Sequence, residues 1–190
     1  MNTRFNLIYA DPPWTYRDEC NSGQRGACHK YPVMRLEDIC ALDVPAIAAP
    51  DCLLALWWVA PMPAEALEVV RAWGFTLKTM KGFCWHKRTK NGLSHFGMGN
   101  WTRANTEDCL FAVRGNIRRV NAAVRQFIDA PLARHSEKPA AARDRLVELL
   151  GDVPRIELFA RAKTPGWSAW GNEIANDVTL SLRTKQFQLL

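Results

Sequence analysis

The stretch with the clearest chemical potential is Asp11-Pro12-Pro13-Trp14, which directly follows the apolar run from Phe5 to Ala10. The run is too short for a helix and is ended by two prolines, so it predicts a buried strand. Asp11 would then leave the carboxyl end of that strand, the edge at which open α/β sheets bind their ligands. Because proline has no backbone N–H, the turn offers mainly hydrogen-bond acceptors.

Such a turn suits an exocyclic amino group on a planar base. The Asp11 carboxylate and a neighbouring carbonyl can accept its two hydrogens, which leaves the nitrogen lone pair more available for attack on a methyl electrophile. The ring of Trp14 can stack on the base, a contact worth roughly 1–3 kcal/mol. The simpler alternative is a Pro-Pro turn in which Asp11 only caps the backbone.

Composition sets the class of protein. A chain of 190 residues with 48% hydrophobic and 23% charged residues predicts one globular domain with a real core. No apolar run approaches the ~20 residues of a membrane helix, and the N-terminus lacks the apolar segment of a signal peptide. The six cysteines form no C-x-x-C pair. They predict scattered thiols in a reducing cytosol and no metal site.

The net charge of +6 is concentrated in the middle third of the chain. Residues 69–128 carry eleven basic residues against Glu107 and Asp108, so this third has a charge of +9 and the remainder has −3. A solvated basic face is one explanation. The asymmetry is also typical of a surface that contacts phosphates, and the absence of a basic amphipathic helix favours nucleic acid over membrane.

The remaining pattern alternates strands and helices, which predicts a mostly parallel α/β sheet with helices on both faces. Further strands are expected at 52–59, 75–86, 108–114 and 155–160. Helices are expected at 61–73 and 139–150, each followed by a glycine, and a last helix is expected to begin within 168–176. Residues 38–49 predict a short helical or irregular segment. Loops are expected at about 15–31, 87–105 and 115–135, the last with some helix.

Seven motifs now occur in an order that resembles the MT-A70 family of adenine-N6 methyltransferases over nearly the whole chain. They are Ala10 to Trp14, Leu56 to Val59, Trp85 to Lys87, Asn100 to Gly115, Ser136 to Pro139, Ile156 to Arg161 and Trp170 to Glu173. The resemblance implies S-adenosylmethionine as cofactor and a Rossmann-like sheet in permuted order. The catalytic strand then comes first, and the strand that leads to the cofactor comes near the C-terminus.

The resemblance also assigns roles to individual residues. The catalytic set would be Asp11, Pro12, Pro13 and Trp14, with the substrate base between Trp14 and Tyr31. The cofactor would be bound by Asp11, Lys138, Arg161, Lys163, Asn172 and Glu173. Lys138 would face the methionine carboxylate, although a surface lysine before a helix is the plain alternative, and Asn172 and Glu173 could instead cap a helix. The residues Phe159 to Lys163 stand where many methyltransferases have a glycine-rich loop.

The substrate is less sharply defined by the sequence. The basic loops nominate Lys87, Arg88, Lys90, Arg103, Arg118 and Arg119 as contacts to nucleic acid, and Glu107 could buttress Arg103 or a loop lysine. Small stand-alone members of the family resemble bacterial or phage DNA adenine methyltransferases, so we expect DNA with short or relaxed sequence preference, in the cytoplasm of a bacterium or phage-infected cell. RNA methylation, a catalytically silent nucleic-acid-binding subunit and methylation of a small molecule or protein amide are the alternatives. A homodimer is plausible by family analogy.

Overall fold

The computed structural model of the protein describes residues 4–15, 33–97, 99, 101–133 and 137–183. Tyr31, Asn100, Ser136 and most of the predicted 15–31 loop lie outside these residues. The strands are β1 (Phe5–Ala10), β2 (Ala48–Trp58), β3 (Thr76–Arg88), β4 (Thr106–Arg114), β5 (Phe127–Pro131), β6 (Arg155–Leu158) and β7 (Ser168–Trp170). The helices are α1 (Leu36–Ala41), α2 (Val44–Ile47), α3 (Pro63–Ala72) and α4 (Ala140–Leu150).

The described strands form one seven-stranded sheet in the order β5-β3-β4-β2-β1-β6-β7. Strand β4 is antiparallel to both its neighbours, and the four other neighbouring pairs are parallel. The mostly parallel α/β sheet is therefore confirmed. The permuted order is also visible, because β1 at the start of the chain pairs in register with β6 near its end, with Ala10 opposite Leu158.

Two apolar layers cover the sheet, one on each face. Ile8 and Ala10 of β1 join α1, α2 and α3 in the first layer, whereas Leu7 and Tyr9 join α4 in the second. A central strand that is buried on both faces must be apolar almost throughout, which explains the continuous run that begins at Phe5.

Two sequence expectations are wrong. The 115–135 segment was expected to be a loop with some helix, but it contains the strand β5, and its described residues include no helix. The last helix does not begin within 168–176, because Ser168 to Trp170 pair with β6 as β7 and turns follow. Both strands lie at the edges of the sheet, where one ladder of hydrogen bonds suffices and the sequence signal is weak.

The described part of the chain offers neither a candidate membrane helix nor a candidate metal site. No helix there is long and apolar enough to cross a bilayer. Likewise, the described residues contain no cluster of three or more His, Cys, Asp or Glu side chains that could hold a metal ion. Cys40, Cys52, Cys84 and Cys109 are all unpaired thiols.

Candidate active site

The sheet brings the ends of several strands to one edge. Asp11 follows β1, Val59 follows β2, Phe159 follows β6 and Asn172 follows β7, so all four loops leave the carboxyl ends of mutually parallel strands. The antiparallel β4 enters at the same edge and presents Glu107 near its amino end. This is the edge at which open α/β sheets bind ligands.

A cavity of about 280 Å³ lies at this edge. Its walls are formed by the turn after β1, the end of β2, the loops after β6 and β7, Glu107 and Lys138. The lining residues are Asp11, Pro12, Pro13, Trp14, Trp57, Trp58, Val59, Glu107, Lys138, Phe159, Ala160, Arg161, Asn172 and Glu173. Most of the predicted catalytic and cofactor residues therefore share one cavity, and Lys163 is not among its lining residues.

Four charged side chains form what we call the inner cluster: Asp11, Lys138, Glu107 and Lys87. The Lys138 ammonium donates to the Asp11 carboxylate at 2.6 Å and lies 3.3 Å from Glu107. Glu107 also accepts a hydrogen bond from Lys87 at 2.5 Å. The Lys138 side chain is only 8% exposed, so two carboxylates must offset a nearly buried cation. The plain alternative of a surface lysine is thereby wrong.

Burial and ion pairing together shift the pKa values of the two acids of this cluster in opposite directions. Burial raises the pKa of Asp11 above its ordinary value, although Lys138 opposes the shift. Burial would also raise the pKa of Glu107, but the attraction of Lys138 and Lys87 outweighs it and the pKa is lowered. Burial disfavours the Lys138 ammonium, and the two acids overcome this and raise its pKa. Lys138 therefore stays charged and holds Asp11 in place.

The Asp11-Pro12-Pro13-Trp14 turn is fixed by its own backbone and by Trp14. The Trp14 N–H donates to the Pro12 carbonyl at 2.9 Å, and the Met34 N–H donates to the Pro13 carbonyl at the same distance. Trp14 is 4% exposed, and its indole N–H donates to the Trp57 carbonyl at 3.1 Å. Each proline carbonyl retains a second lone pair, so the turn can still accept a hydrogen bond from a ligand.

The aromatic base of the cavity is rigid. The Trp57 indole N–H donates to the Tyr9 hydroxyl at 2.8 Å, and the Lys138 ammonium lies 5.6 Å from the centroid of the Trp57 ring. Both aromatic residues are essentially fully buried. The cation is therefore held from one side by carboxylates and from another by a ring face, which fixes its position in the wall.

The loops after β6 and β7 form the opposite wall. Phe159 adopts a positive φ of 64°, a backbone conformation that is uncommon without glycine, and its ring packs edge-on against Trp170 at 5.5 Å. A Cβ at Gly171 would overlap the Ala160 carbonyl oxygen, so the two loops can approach only because residue 171 is glycine. Phe159 was not nominated from the sequence, because a non-glycine residue in this conformation leaves no pattern.

The predicted cofactor residues on these loops are partly separated. Asn172 and Glu173 line the cavity, and they do not cap a helix, because turns follow β7. Arg161 lines it too and lies 3.7 Å from Glu173. Lys163 instead pairs with Asp177, whose carboxylate also accepts the Ala169 N–H at 2.9 Å. Its predicted contact with the cofactor thus has no geometric support.

The predicted contacts to nucleic acid fall into two groups. Lys87 is 15% exposed and belongs to the inner cluster. Arg88 donates to both oxygens of Asp129 at 2.7 and 2.9 Å. Lys90, Arg103, Arg118 and Arg119 are all exposed. Lys87 and Arg88 are thus already engaged by acids. Contacts of the four exposed residues with nucleic acid remain predictions.

A second polar network, the outer cluster, consists of Arg88, Asp129, His86 and Ser94. The His86 ring lies between the Asp129 carboxylate at 3.1 Å and the Ser94 hydroxyl at 2.9 Å. This arrangement has the residue types of a hydrolytic triad. The carboxylate, however, is already shared with Arg88, and Ser94 also accepts a hydrogen bond from Asn105. The geometry is that of a clamp holding the loop after β3 against β5.

Glu107 is the residue whose role the sequence left open. Its expected support of a loop lysine is found at Lys87, while its contact with Lys138 was not anticipated. The single available signal was its position among basic residues, since Glu107 and Asp108 are the only acids in residues 69–128. An isolated acid in a basic segment is a candidate for a buried ion pair.

Comparison with known proteins identifies a family and several relatives. The MT-A70 family model matches residues 5–173. The Type II methyltransferase M.MunI of Mycoplasma sp is 34% identical over 192 residues, covering 92% of this chain and 79% of that protein. Human N(6)-adenine-specific methyltransferase METTL4 is 28% identical, covering 90% of this chain and 37% of its own length.

A third relative carries a different substrate in its name. The N6-methyladenosine RNA methyltransferase MTA1 of Cryphonectria parasitica is 29% identical over 90% of this chain, which spans 52% of that protein. This chain therefore corresponds to only part of METTL4 and of MTA1, and to most of M.MunI. With the family model matched from β1 to the loop after β7, this protein belongs to the MT-A70 family of methyltransferases.

Proposed function

We propose that this protein transfers the methyl group of S-adenosylmethionine to the N6 amine of adenine in DNA, with short or relaxed sequence preference. One observation carries the proposal. The Asp11 carboxylate lies in a cavity at the ligand-binding edge of the sheet, held at 2.6 Å by a buried lysine. An acceptor-rich turn with a fixed carboxylate is suited to orienting an amino group.

The chemical groups that line the cavity fit the cofactor. S-adenosylmethionine has a carboxylate, a ribose diol and a planar base, and the cavity offers the Lys138 ammonium, the Asn172 and Glu173 side chains and the Phe159 ring. A carboxylate or amide on a ribose diol is a recurrent solution in nucleotide sites. The close approach of the β6 and β7 loops at Gly171 places Phe159 and Asn172 in one wall of the cavity.

The protein's own residues act mainly by positioning and electrostatics. When bound, S-adenosylmethionine supplies a methyl group that is already activated on sulfur. Asp11 accepts one hydrogen of the adenine amine, and the second lone pair of the Pro12 carbonyl is available for the other. The nitrogen is thus oriented with its lone pair toward the methyl group. The amine proton passes to water during or after transfer, so Asp11 orients the amine by a hydrogen bond and does not act as a strong base beforehand.

The choice of a nucleic acid rests on charge, and the choice of DNA rests on similarity. M.MunI, the bacterial relative, shares most of its length with this chain, and METTL4 carries an N6-adenine specificity in its name. The basic middle third is suited to a phosphate backbone of either kind. MTA1 keeps RNA as the second candidate, because its name gives an RNA substrate and its identity to this chain is similar.

The test is transfer of a radiolabelled methyl group from S-adenosylmethionine to adenine-containing oligonucleotides. DNA and RNA of the same sequence are compared, each single-stranded and duplex, and the product nucleoside is identified after digestion. Asp11→Ala is the test variant. Asp152→Ala is the matched control, because the Asp152 side chain is 92% exposed and pairs with Arg155 at the opposite end of β6.

We expect transfer to DNA that yields N6-methyladenine, a loss of about 10²-fold or more in Asp11→Ala, and unchanged activity in Asp152→Ala. Full activity in Asp11→Ala would contradict the assigned role of this carboxylate. Transfer to RNA alone would overturn the DNA preference. Binding of oligonucleotides without any transfer would instead identify a silent subunit.

A further inference from the structure

The loop that joins β3 to β4, residues 89–105, exposes large apolar side chains beside the candidate active site. Leu93 is 68% exposed, Phe96 is 73% exposed and Trp101 is 100% exposed. Five of the eight tryptophans, by contrast, are buried in the core. A fully exposed tryptophan gains nothing from burial within its own chain, so a binding partner is the natural explanation for its position.

The loop is built to hold this exposed ring. Its base is tied to β3, because the His95 N–H donates to the Lys87 carbonyl and the Lys87 N–H donates to the Asn105 carbonyl, both at 2.8 Å. The outer cluster adds the clamp through Ser94. Further out, Gly97 and Ala104 pair in an antiparallel bridge that brackets Trp101 in the chain.

Two glycines make the close approach of the two sides possible. A Cβ at Gly97 would overlap the Ala104 carbonyl, and a Cβ at Gly99 would overlap the Thr102 carbonyl. Larger residues at these positions would push the sides apart. Trp101 is therefore carried by a part of the loop in which backbone atoms pack closely on each side of it in the sequence.

A second cavity lies between this loop and the wall of the cavity that contains Asp11. It has a volume of about 580 Å³ and is lined by Trp101, Thr102 and His95 on one side and by Trp58, Val59 and Glu107 on the other. The latter three also line the cavity that contains Asp11. The two spaces are thus neighbours with a common wall, and a chain molecule with one group at Asp11 can extend along the second cavity to Trp101.

The chemistry of the loop surface favours nucleotide bases. Lys87 and Arg88 are engaged by Glu107 and Asp129, whereas the loop itself exposes the rings of Phe96 and Trp101 beside Lys90 and Arg103. The Arg103 guanidinium lies 4.8 Å from the centroid of the Phe96 ring. Aromatic faces next to cations form the typical platform on which unpaired bases stack.

We infer that Trp101 stacks on a base that neighbours the target adenine in the same strand. The inference rests on the proposed function, since it takes the substrate to be a nucleic-acid strand. Stacking on Trp101 holds the strand while the adenine enters the Asp11 cavity, and it requires a neighbouring base whose face is accessible. Because every base has a flat face, this contact adds affinity with little sequence preference.

The experiment measures binding of a fluorescently labelled single-stranded DNA with one adenine by anisotropy, together with steady-state methyl transfer. The variants are Trp101→Ala, Trp101→Phe and Val120→Ala. Val120 is the matched control, because it is 71% exposed but packs beside Gly151 at the amino end of β6, opposite to the active site. Size-exclusion chromatography is run on each variant.

We expect Trp101→Ala to weaken binding about tenfold and to raise KM about tenfold, with kcat close to wild type at saturating DNA. Trp101→Phe retains most of the affinity, because a smaller ring still stacks, and Val120→Ala binds as wild type does. A merely structural role for Trp101 would lower kcat as well and would not be rescued by phenylalanine.

Wild-type affinity in Trp101→Ala would overturn the inference. So would a decrease in molecular size in this variant, because the ring would then be covered by a second copy of the chain. Wild-type protein that binds DNA without methylating it would refute the proposed function alone. Methylation by wild type with equal binding by Trp101→Ala would refute the stacking alone.

Discussion

Lys87 and Arg88 are consecutive residues of β3, yet they enter two different polar networks at the same edge of the sheet. Lys87 joins the inner cluster and is 15% exposed, whereas Arg88 joins the outer cluster and is 36% exposed. Successive side chains of a strand point to opposite faces. The two ion pairs therefore differ in burial and in role. The inner pair stabilises a charge in the wall of a cavity, and the outer pair fastens a solvent-exposed loop.

The two clusters should differ most when Lys138 is replaced. Lys138→Met should leave Asp11 and Glu107 without their shared cation, and removing one partner of a buried ion pair typically costs about 3–5 kcal/mol. We expect this loss in the free energy of unfolding, measured by urea denaturation, and a decrease in methyl transfer of about 10²-fold.

The control for Lys138 is Lys81→Met, since Lys81 is 58% exposed and its nitrogen lies 3.8 Å from Asp108. The loss of this surface pair should cost less than about 1 kcal/mol. Equal losses in the free energy of unfolding for the two variants would show that the inner cluster contributes no more to stability than a surface ion pair.

Glu107→Gln tests the inner cluster through the pH dependence of stability. The folded protein lowers the pKa of Glu107 below its ordinary value of 4.5, so the ionised group stabilises the fold at neutral pH. This contribution is lost as the pH falls from 4.5 through the lowered value. We expect the difference in unfolding free energy between wild type and Glu107→Gln to be about 1–3 kcal/mol at neutral pH, and to shrink in acid. A difference that does not change with pH would contradict the pairing.

Asp11 predicts the pH dependence of the reaction itself. Since burial raises its pKa above the ordinary value of 3.8, protonation should remove its acceptor function at a higher pH than for an exposed aspartate. We expect kcat to decline on the acid side with an apparent pKa above 3.8. The measurement is kcat across the acid range at saturating substrates, and a decline with an apparent pKa below the ordinary value would be the contrary result.

The smallest effect is expected in the outer cluster. Asp129→Asn removes the partner of Arg88, and because the Asp129 side chain is 43% exposed, the cost should be below about 1 kcal/mol. Raising the salt concentration should reduce this cost further, while the effect of Lys138→Met persists. Thermal unfolding in low and high salt measures both. A salt-resistant loss of several kcal/mol in Asp129→Asn would remove the distinction between the clusters.

Local sequence patterns were sufficient for the centre of the fold. The apolar run at Phe5 and the Pro-Pro turn placed Asp11 at the carboxyl end of a buried strand, and the capped pattern before Gly151 identified α4. The edge strands β5 and β7 were missed, because short strands with one partner depend on tertiary pairing more than on their own residues. Ser168 to Asn176 contains good helix-capping residues, and its pairing with β6 overrides them.

The sequence predicted which residues belong to the site better than it predicted how they contact one another. The order of motifs predicted that Lys138 lines the cavity. Its hydrogen bond to Asp11 and its proximity to Glu107 depend on how the segment before α4 lies against the sheet and on β2, which separates β4 from β1. Lys87 was nominated for phosphate by its charge alone. Its exposure follows from the face of β3 on which it lies and from the antiparallel entry of β4, and neither can be read from neighbouring residues.

The pairing of Asp11 with Lys138 spans 127 positions of the chain. During synthesis on a ribosome, the acid therefore emerges long before the base that offsets it. Strand β1 also gains its neighbour β6 still later. The ion pair between Asp11 and Lys138 can therefore form only after strands β1 to β5 have been synthesised, and non-local contacts of this kind form more slowly than local ones.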